Sequence, residues 1–150
     1  MAYVTDMKTA TAAIISRNGK YLIAKRKAGG VVGGKWEFPG GKLEKNESPR
    51  DGLARELNEE LAIDAEIGEF FDEHTHRYSA GSMRIFAFMV NFYTGKIELR
   101  EHDEIRWVLA GELGKVDFIG NDKPIIRKLA VMNDVELDIT RKALNGQKKP

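Results

Sequence analysis

The sequence predicts an α/β domain of the α+β kind, a mixed sheet with two main helices on its faces. Three features predict it. A strong hairpin signal stands near the start, a capped helix carries a leucine every fourth residue, and a series of β-branched and aromatic segments runs into a second amphipathic helix.

In order, residues 9–17 read as a strand, Asn18-Gly19 as a type I′ turn, and residues 20–25 as the returning strand with Tyr21, Leu22 and Ile23. Residues 29–41 hold six glycines and Pro39, which no regular element tolerates in its interior, so a long loop is expected around Trp36-Glu37-Phe38. Ser48-Pro49-Arg50-Asp51 then supplies an N-cap, a proline at the first helical position and an acidic residue three after the cap. Leu53, Leu57 and Leu61 follow on one face of a helix over residues 49–61. Residues 65–71, 74–78, 83–93 and 105–108 have strand character, and Lys123-Pro124 opens a helix with Ile125, Ile126 and Leu129 on one side. Residues 145–150 are polar and have nothing to bury. One domain over residues 1–144 with a disordered tail over 145–150 is the expectation.

Composition excludes several functions. The 24 Lys+Arg against 23 Asp+Glu give a net charge of +1, without the basic excess that duplex nucleic acid demands. The longest apolar run, residues 85–90, is far below the ~18 residues of a membrane span. No cysteine is present, which removes disulfides, thiolate metal sites and a cysteine nucleophile. Residues 1–13 have no signal-like apolar core, so a cytoplasmic location is expected.

Chemistry concentrates on the first helix. Glu56, Glu59 and Glu60 stand at i, i+3 and i+4, three carboxylates within one ~100° arc beside the leucine stripe. A solvated face explains such a cluster, and so does a hard divalent cation, which turns mutual repulsion into binding energy. From Gly41 the text continues with five residues, Glu47, seven residues, Arg55-Glu56-Leu57, one residue, Glu59-Glu60, one residue, and Ala62-Ile63.

This closely resembles the Nudix box of the Nudix hydrolases, over residues 41–63, and the flanking Trp36-Glu37-Phe38-Pro39-Gly40-Gly41-Lys42 is similar to the MutT branch. Ala62 departs from the family's glycine, at a point where a left-handed residue ends the helix, and should cost ~1 kcal/mol of local strain without removing a ligand. The resemblance spans about residues 5–132 and implies an α/β/α sandwich. It also implies Mg²⁺, with Mn²⁺ as a substitute, held by Glu56, Glu59, Glu60 and the Gly40 carbonyl, and an ion pair of Glu47 and Arg55 bracing loop to helix. A further carboxylate is implied after the long strands, Glu101 with Glu104 as rival, to complete the metal set or take a proton from water. Arg26 and Lys42 match phosphate-facing positions, and Asp122 matches a base-reading position whose alternative reading is a helix cap.

The implied activity is attack of water on a phosphorus of a nucleoside triphosphate, oxidised purine or CTP-like, releasing nucleoside monophosphate and pyrophosphate. ADP-ribose or a dinucleoside polyphosphate is the alternative substrate, and a non-catalytic ligand-sensing domain a further one, which would be expected to have lost box carboxylates. A small-molecule nucleotide is the expected partner, of a monomer or homodimer. Three other signals are set aside. Gly29-x-x-x-x-Gly34-Lys35 imitates a phosphate loop, but Trp36 and Pro39 deny it the following helix. His74-x-His76 lacks further zinc ligands, and Phe71, Tyr78, Phe86, Phe88 and Phe92 are assigned mostly to the core.

Overall fold

The computed structural model describes residues 7–147. Residues 1–6, the first part of the segment read for a leader, and residues 148–150 of the expected tail lie outside it.

Strand β1 (Met7–Arg17) meets β2 (Lys20–Arg26) through Asn18 and Gly19, at φ of 53° and 77°, as a type I′ turn requires. The two strands pair only at Ser16↔Tyr21 and Arg17↔Lys20, and then part. β1 goes on as the parallel partner of β6 (Gly81–Val90), from Met7↔Ser82 to Ile15↔Val90, with β5 (Phe70–Tyr78) antiparallel outside β6. β2 pairs instead with β8 (His102–Leu109) along its length and with β3 (Trp36–Glu37) at its far end. The order is β3-β2-β1-β6-β5, with β8 on β2. Because β1 and β2 separate after the hairpin, a cleft opens between them, and the functional residues collect there.

β1 is buried on both faces from Ala10 to Ile15, as a central strand with a parallel partner must be. Ala10, Ala12 and Ile14 pack with Ile125 and Leu129 of α2 (Lys123–Gln147), whereas Ala13 and Ile15 pack with Leu53, Leu57 and Leu61 of α1 (Pro49–Leu61). Helices therefore cover both faces of a mixed sheet, which is the α/β/α sandwich expected. Each of the three α1 leucines is fully buried, and truncating one to alanine removes about 2–5 kcal/mol.

α1 begins and ends as the sequence requires. The Ser48 hydroxyl accepts the Asp51 amide at 3.1 Å, and Ala62 sits at φ 60°, its amide bonded to the Asn58 carbonyl. Ala62 thus adopts the left-handed turn that the family's glycine provides.

Several boundaries differ from the sequence reading. The strand expected over 65–71 is divided: β4 (Asp64–Glu66) pairs with β7 (Phe92–Thr94) in a separate two-stranded sheet, while Phe70 and Phe71 begin β5. The Gly68 amide bonds the Met89 carbonyl and a Cβ there would lie 2.7 Å from that oxygen, so the chain crosses β6 at a point only glycine fits. The strand over 83–93 breaks after Val90, and that over 105–108 starts earlier, at His102. Residues 145–147 end α2 as helix where a disordered tail was expected. Tyr78 and Phe92 are 37% and 59% exposed and do not belong to the core assigned to them. No helix among the described residues is long and apolar enough to cross a membrane.

Candidate active site

The segment 39–43 lies along β1. Amides of Thr11 and Ala13 take the carbonyls of Gly41 and Pro39 at 2.8 and 2.7 Å, and the Leu43 amide takes that of Thr9, so this ladder skips the Gly40 carbonyl. A Cβ on Gly40 would stand 2.1 Å from the Thr11 carbonyl oxygen, and one on Gly41 2.4 Å from the Glu56 carboxyl carbon. Two glycines are thus required for the loop to lie between β1 and the glutamate face of α1.

Of the three glutamates on that face, Glu60 lines the cavity, whereas Glu56 and Glu59 do not. Glu60 is 5% exposed and accepts the Gly40 amide at 3.3 Å. Burial, then the like charges of Glu37, Glu56 and Glu101, push its carboxyl up to about 9. Burial also raises Glu56. Glu59 lies at the surface. Among the described residues no three acidic or histidine side chains already converge at metal-ligand distances. Part of the reason is Arg55, whose Nη1 takes Glu56 at 3.1 Å and Glu59 at 3.0 Å.

Arg55 is chiefly the brace expected of it. Its Nε and Nη2 donate to the two Glu47 oxygens at 2.7 and 2.9 Å, and Nη2 also reaches the Lys42 carbonyl at 3.1 Å. The bonds from Arg55 hold the Glu47 carboxyl down at about 2, with the Glu44 amide assisting. Glu47 therefore ties the loop that carries Gly40 to α1.

A cavity of about 400 Å³ opens over this group. Its lining includes the acidic Glu37, Glu60, Glu101 and Asp122, the apolar Ala10, Phe38, Met83 and Ile85, and the basic Arg26 and Lys42. Glu101 reaches it, whereas Glu104 pairs with Arg106 on β8 and does not line it. Arg26 donates from Nη1 to Glu37 at 2.7 Å. Lys42 is exposed.

Glu37 and His102 were not identified from the sequence. Both are buried, line the cavity and bond to each other, His102 Nε2 donating to Glu37 Oε2 at 2.8 Å, so one carboxylate is shared between His102 and Arg26. An acidic residue inside the apolar run Trp36-Glu37-Phe38 was the available signal, since a buried charge needs partners.

Asp122 is 4% exposed, and its Oδ2 accepts the Phe38 amide at 2.8 Å across 84 positions. The Asp122 side chain thus bonds the Phe38 amide and does not cap the first turn of α2. Burial pushes its carboxyl up to about 7 from an ordinary 3.8. The folded chain thus holds a proton that the unfolded chain releases, so stability from this group is lost as pH rises between about 4 and 7. Asp122→Asn should flatten that part of the stability profile, by a few kcal/mol at most, and urea midpoints from pH 4 to 8 measure it.

Residues 6–129 match the family model described as the NUDIX domain. The chain is 38% identical over 115 residues to the CTP pyrophosphohydrolase of Escherichia coli K12, covering 77% of this chain and 85% of that protein. It is 33% identical over 135 residues to a putative 8-oxo-dGTP diphosphatase 2 of Mycobacterium tuberculosis, covering 87% and 94%. Among solved structures, the E. coli ORF135 protein superposes with a TM-score of 0.78 at 35% identity, covering 85% of this chain and 91% of that one.

Proposed function

This chain belongs to the Nudix family, and from that premise we propose that it is a magnesium-dependent hydrolase of nucleoside triphosphates, with CTP or dCTP or an oxidised purine such as 8-oxo-dGTP as substrate and nucleoside monophosphate and pyrophosphate as products. The observation that carries the reading is the cavity, whose wall holds the carboxylates Glu37, Glu60 and Glu101 together with a buried hydrogen-bonding carboxyl, Asp122. It offers a place for a triphosphate and a place for a base.

The donor set fits a hard divalent cation. It is all oxygen, and Glu56 and Glu60 are held above their ordinary carboxylate values by burial and by neighbouring carboxylates, Glu101 beside both, which a cation would relieve. Glu56, Glu59, Glu60, Glu101 and the Gly40 carbonyl would hold it. Mg²⁺ bound there supplies neutralisation of the triphosphate and a lowered pKa for the attacking water, with Mn²⁺ able to substitute. The chain's own residues do the rest. Arg26 and Lys42 meet phosphate oxygens, Glu37 and His102 hold Arg26 in place, and the Glu47–Arg55 pair keeps the Gly40 carbonyl in register. Glu101, at the mouth, either completes the donor set or accepts the proton of water.

Chromatographic identification of the products formed in Mg²⁺ from CTP, dCTP, the other common nucleotides, 8-oxo-dGTP, ADP-ribose and diadenosine polyphosphates tests the proposal, nucleoside monophosphate with pyrophosphate being the expected pair. Turnover confined to the last two substrates would overturn it. The brace has its own test. Glu47→Ala should lower the melting temperature and reduce kcat several-fold, with partial recovery at raised Mg²⁺, because the loop that positions Gly40 is loosened. A loss insensitive to Mg²⁺ would assign Glu47 to the chemistry itself.

A further inference from the structure

The histidines His74 and His76 take no part in the proposed reaction, and no residue of β5 lines the cavity. Yet both touch the turn that carries Asp122. His74 Nδ1 lies 2.8 Å from Asp72 Oδ2, and its Nε2 lies 2.6 Å from the main-chain carbonyl oxygen of Asn121. Both oxygens are acceptors, so each of the two contacts is a hydrogen bond when the ring nitrogen facing it carries a proton. The His76 ring rests on Gly120, where an added Cβ would stand 3.3 Å from Cε1. Asp72, His74 and His76 alternate along β5 and so share a face.

The turn needs such support. It is a single 3-10 turn, Gly120–Asp122, and the Asp122 amide reaches the Ile119 carbonyl at a long 3.3 Å. Its product is a demanding contact, the Asp122 carboxyl bonded to the Phe38 amide deep in the cavity wall. The His74 side chain is 13% exposed and that of Asp72 22%, so their bond is largely shielded from water. A carboxylate that orients a histidine whose far nitrogen grips another group is the arrangement that holds ligands in place elsewhere in proteins.

We infer that His74, oriented by Asp72, is a positioning residue that anchors the Asn121–Asp122 peptide from outside the cavity and thereby sets where Asp122 presents its carboxyl to the base. The inference rests on Asp122 reading the base. A base shifted by even a fraction of an ångström from its hydrogen-bonding partner binds less well, while the phosphates, held by other elements, still reach the metal-binding carboxylates. Loss of the anchor therefore acts on KM and on base preference, and leaves kcat nearly unchanged.

Two substitutions separate the bonds. In His74→Gln the amide nitrogen takes the place of Nε2 and keeps the Asn121 bond; in His74→Asn it takes the place of Nδ1 and keeps only Asp72. Kinetics with dCTP and dTTP, and hydrogen exchange at the Phe38 amide, are measured on both. The expected result for His74→Asn is a KM for dCTP raised about five- to tenfold, kcat within about twofold, a matching loss of preference for dCTP over dTTP, and faster exchange at Phe38. His74→Gln should stay within about twofold of wild type in every measurement. Equal behaviour of the two variants, or a fall in kcat at constant KM, overturns the inference. Should His74→Asn fail to fold, His74→Gln still decides: a wild-type melting temperature with a raised KM overturns it. Exchange needs no substrate, so faster exchange at Phe38 in His74→Asn alone, with base preference unmoved there and in Asp122→Asn, upholds the anchor and overturns the base-reading role of Asp122.

Discussion

Glu60→Gln should lower kcat by at least ~100-fold in saturating Mg²⁺ while making the metal-free protein more stable at neutral pH. The two effects have one cause. Glu60 is buried beside the charges of Glu37, Glu56 and Glu101, and its carboxyl sits at about 9, so at neutral pH the metal-free folded chain must take up a proton that the unfolded chain has released, a cost that a bound cation would replace with favourable charge pairing. Glutamine preserves the oxygen that accepts the Gly40 amide and is neutral in both the folded and the unfolded chain, so it needs no proton on folding. Glu59→Gln should reduce kcat as severely with little change in stability, because Glu59 is exposed and meets only Arg55. Initial rates across a Mg²⁺ titration, together with urea denaturation in the presence of a chelator, measure both. Near wild-type turnover in either variant would sink the assignment of the box glutamates as metal ligands.

Asp122→Asn should compress the ranking of substrates. With one oxygen occupied by the Phe38 amide, the ionised carboxyl can only accept from a base, which favours amino and imino donors such as cytosine N4 or guanine N1 and N2 over the O4 carbonyl of thymine or uracil. Facing two acceptors costs about 1–3 kcal/mol, a preference of about 5- to 150-fold in kcat/KM for CTP, dCTP and guanine-type nucleotides over UTP and dTTP. An amide both donates and accepts, and the gap narrows. Because the carboxyl titrates near 7, the wild-type preference should also widen from pH 6 to pH 8.5, as the protonated form that can donate to O4 disappears, whereas the variant's ratio stays level. Values of kcat/KM for dCTP and dTTP at both pH values, in both proteins, decide it. An unchanged ratio would place base recognition elsewhere in the cavity.

The contrast between these two sites shows what a linear reading reaches. The glutamates of α1 were legible because helical geometry brings residues three and four apart together whatever surrounds them, whereas the close approach of Gly40 to β1 and of Gly41 to Glu56 emerged only in the fold. Glu101, favoured over Glu104 by the resemblance alone, lines the cavity, while Glu104 of the same acidic stretch pairs with Arg106 on β8.

By itself the sequence determined the hairpin, the start and end of α1 and the glutamate face. Each rests on interactions within about ten residues, where chain connectivity holds the partners close. Tertiary structure alone decided that Glu37 is shared by Arg26 and His102, that Asp122 meets Phe38 and not the end of its own helix, and that Tyr78 and Phe92 stay at the surface. His102 lies 65 positions from Glu37, and Asp122 lies 84 from Phe38. Such pairs form only because β1 leaves β2 after two residue pairs and α2 returns across the sheet, bringing buried polar groups together in a place where each must find a partner or pay the cost of desolvation.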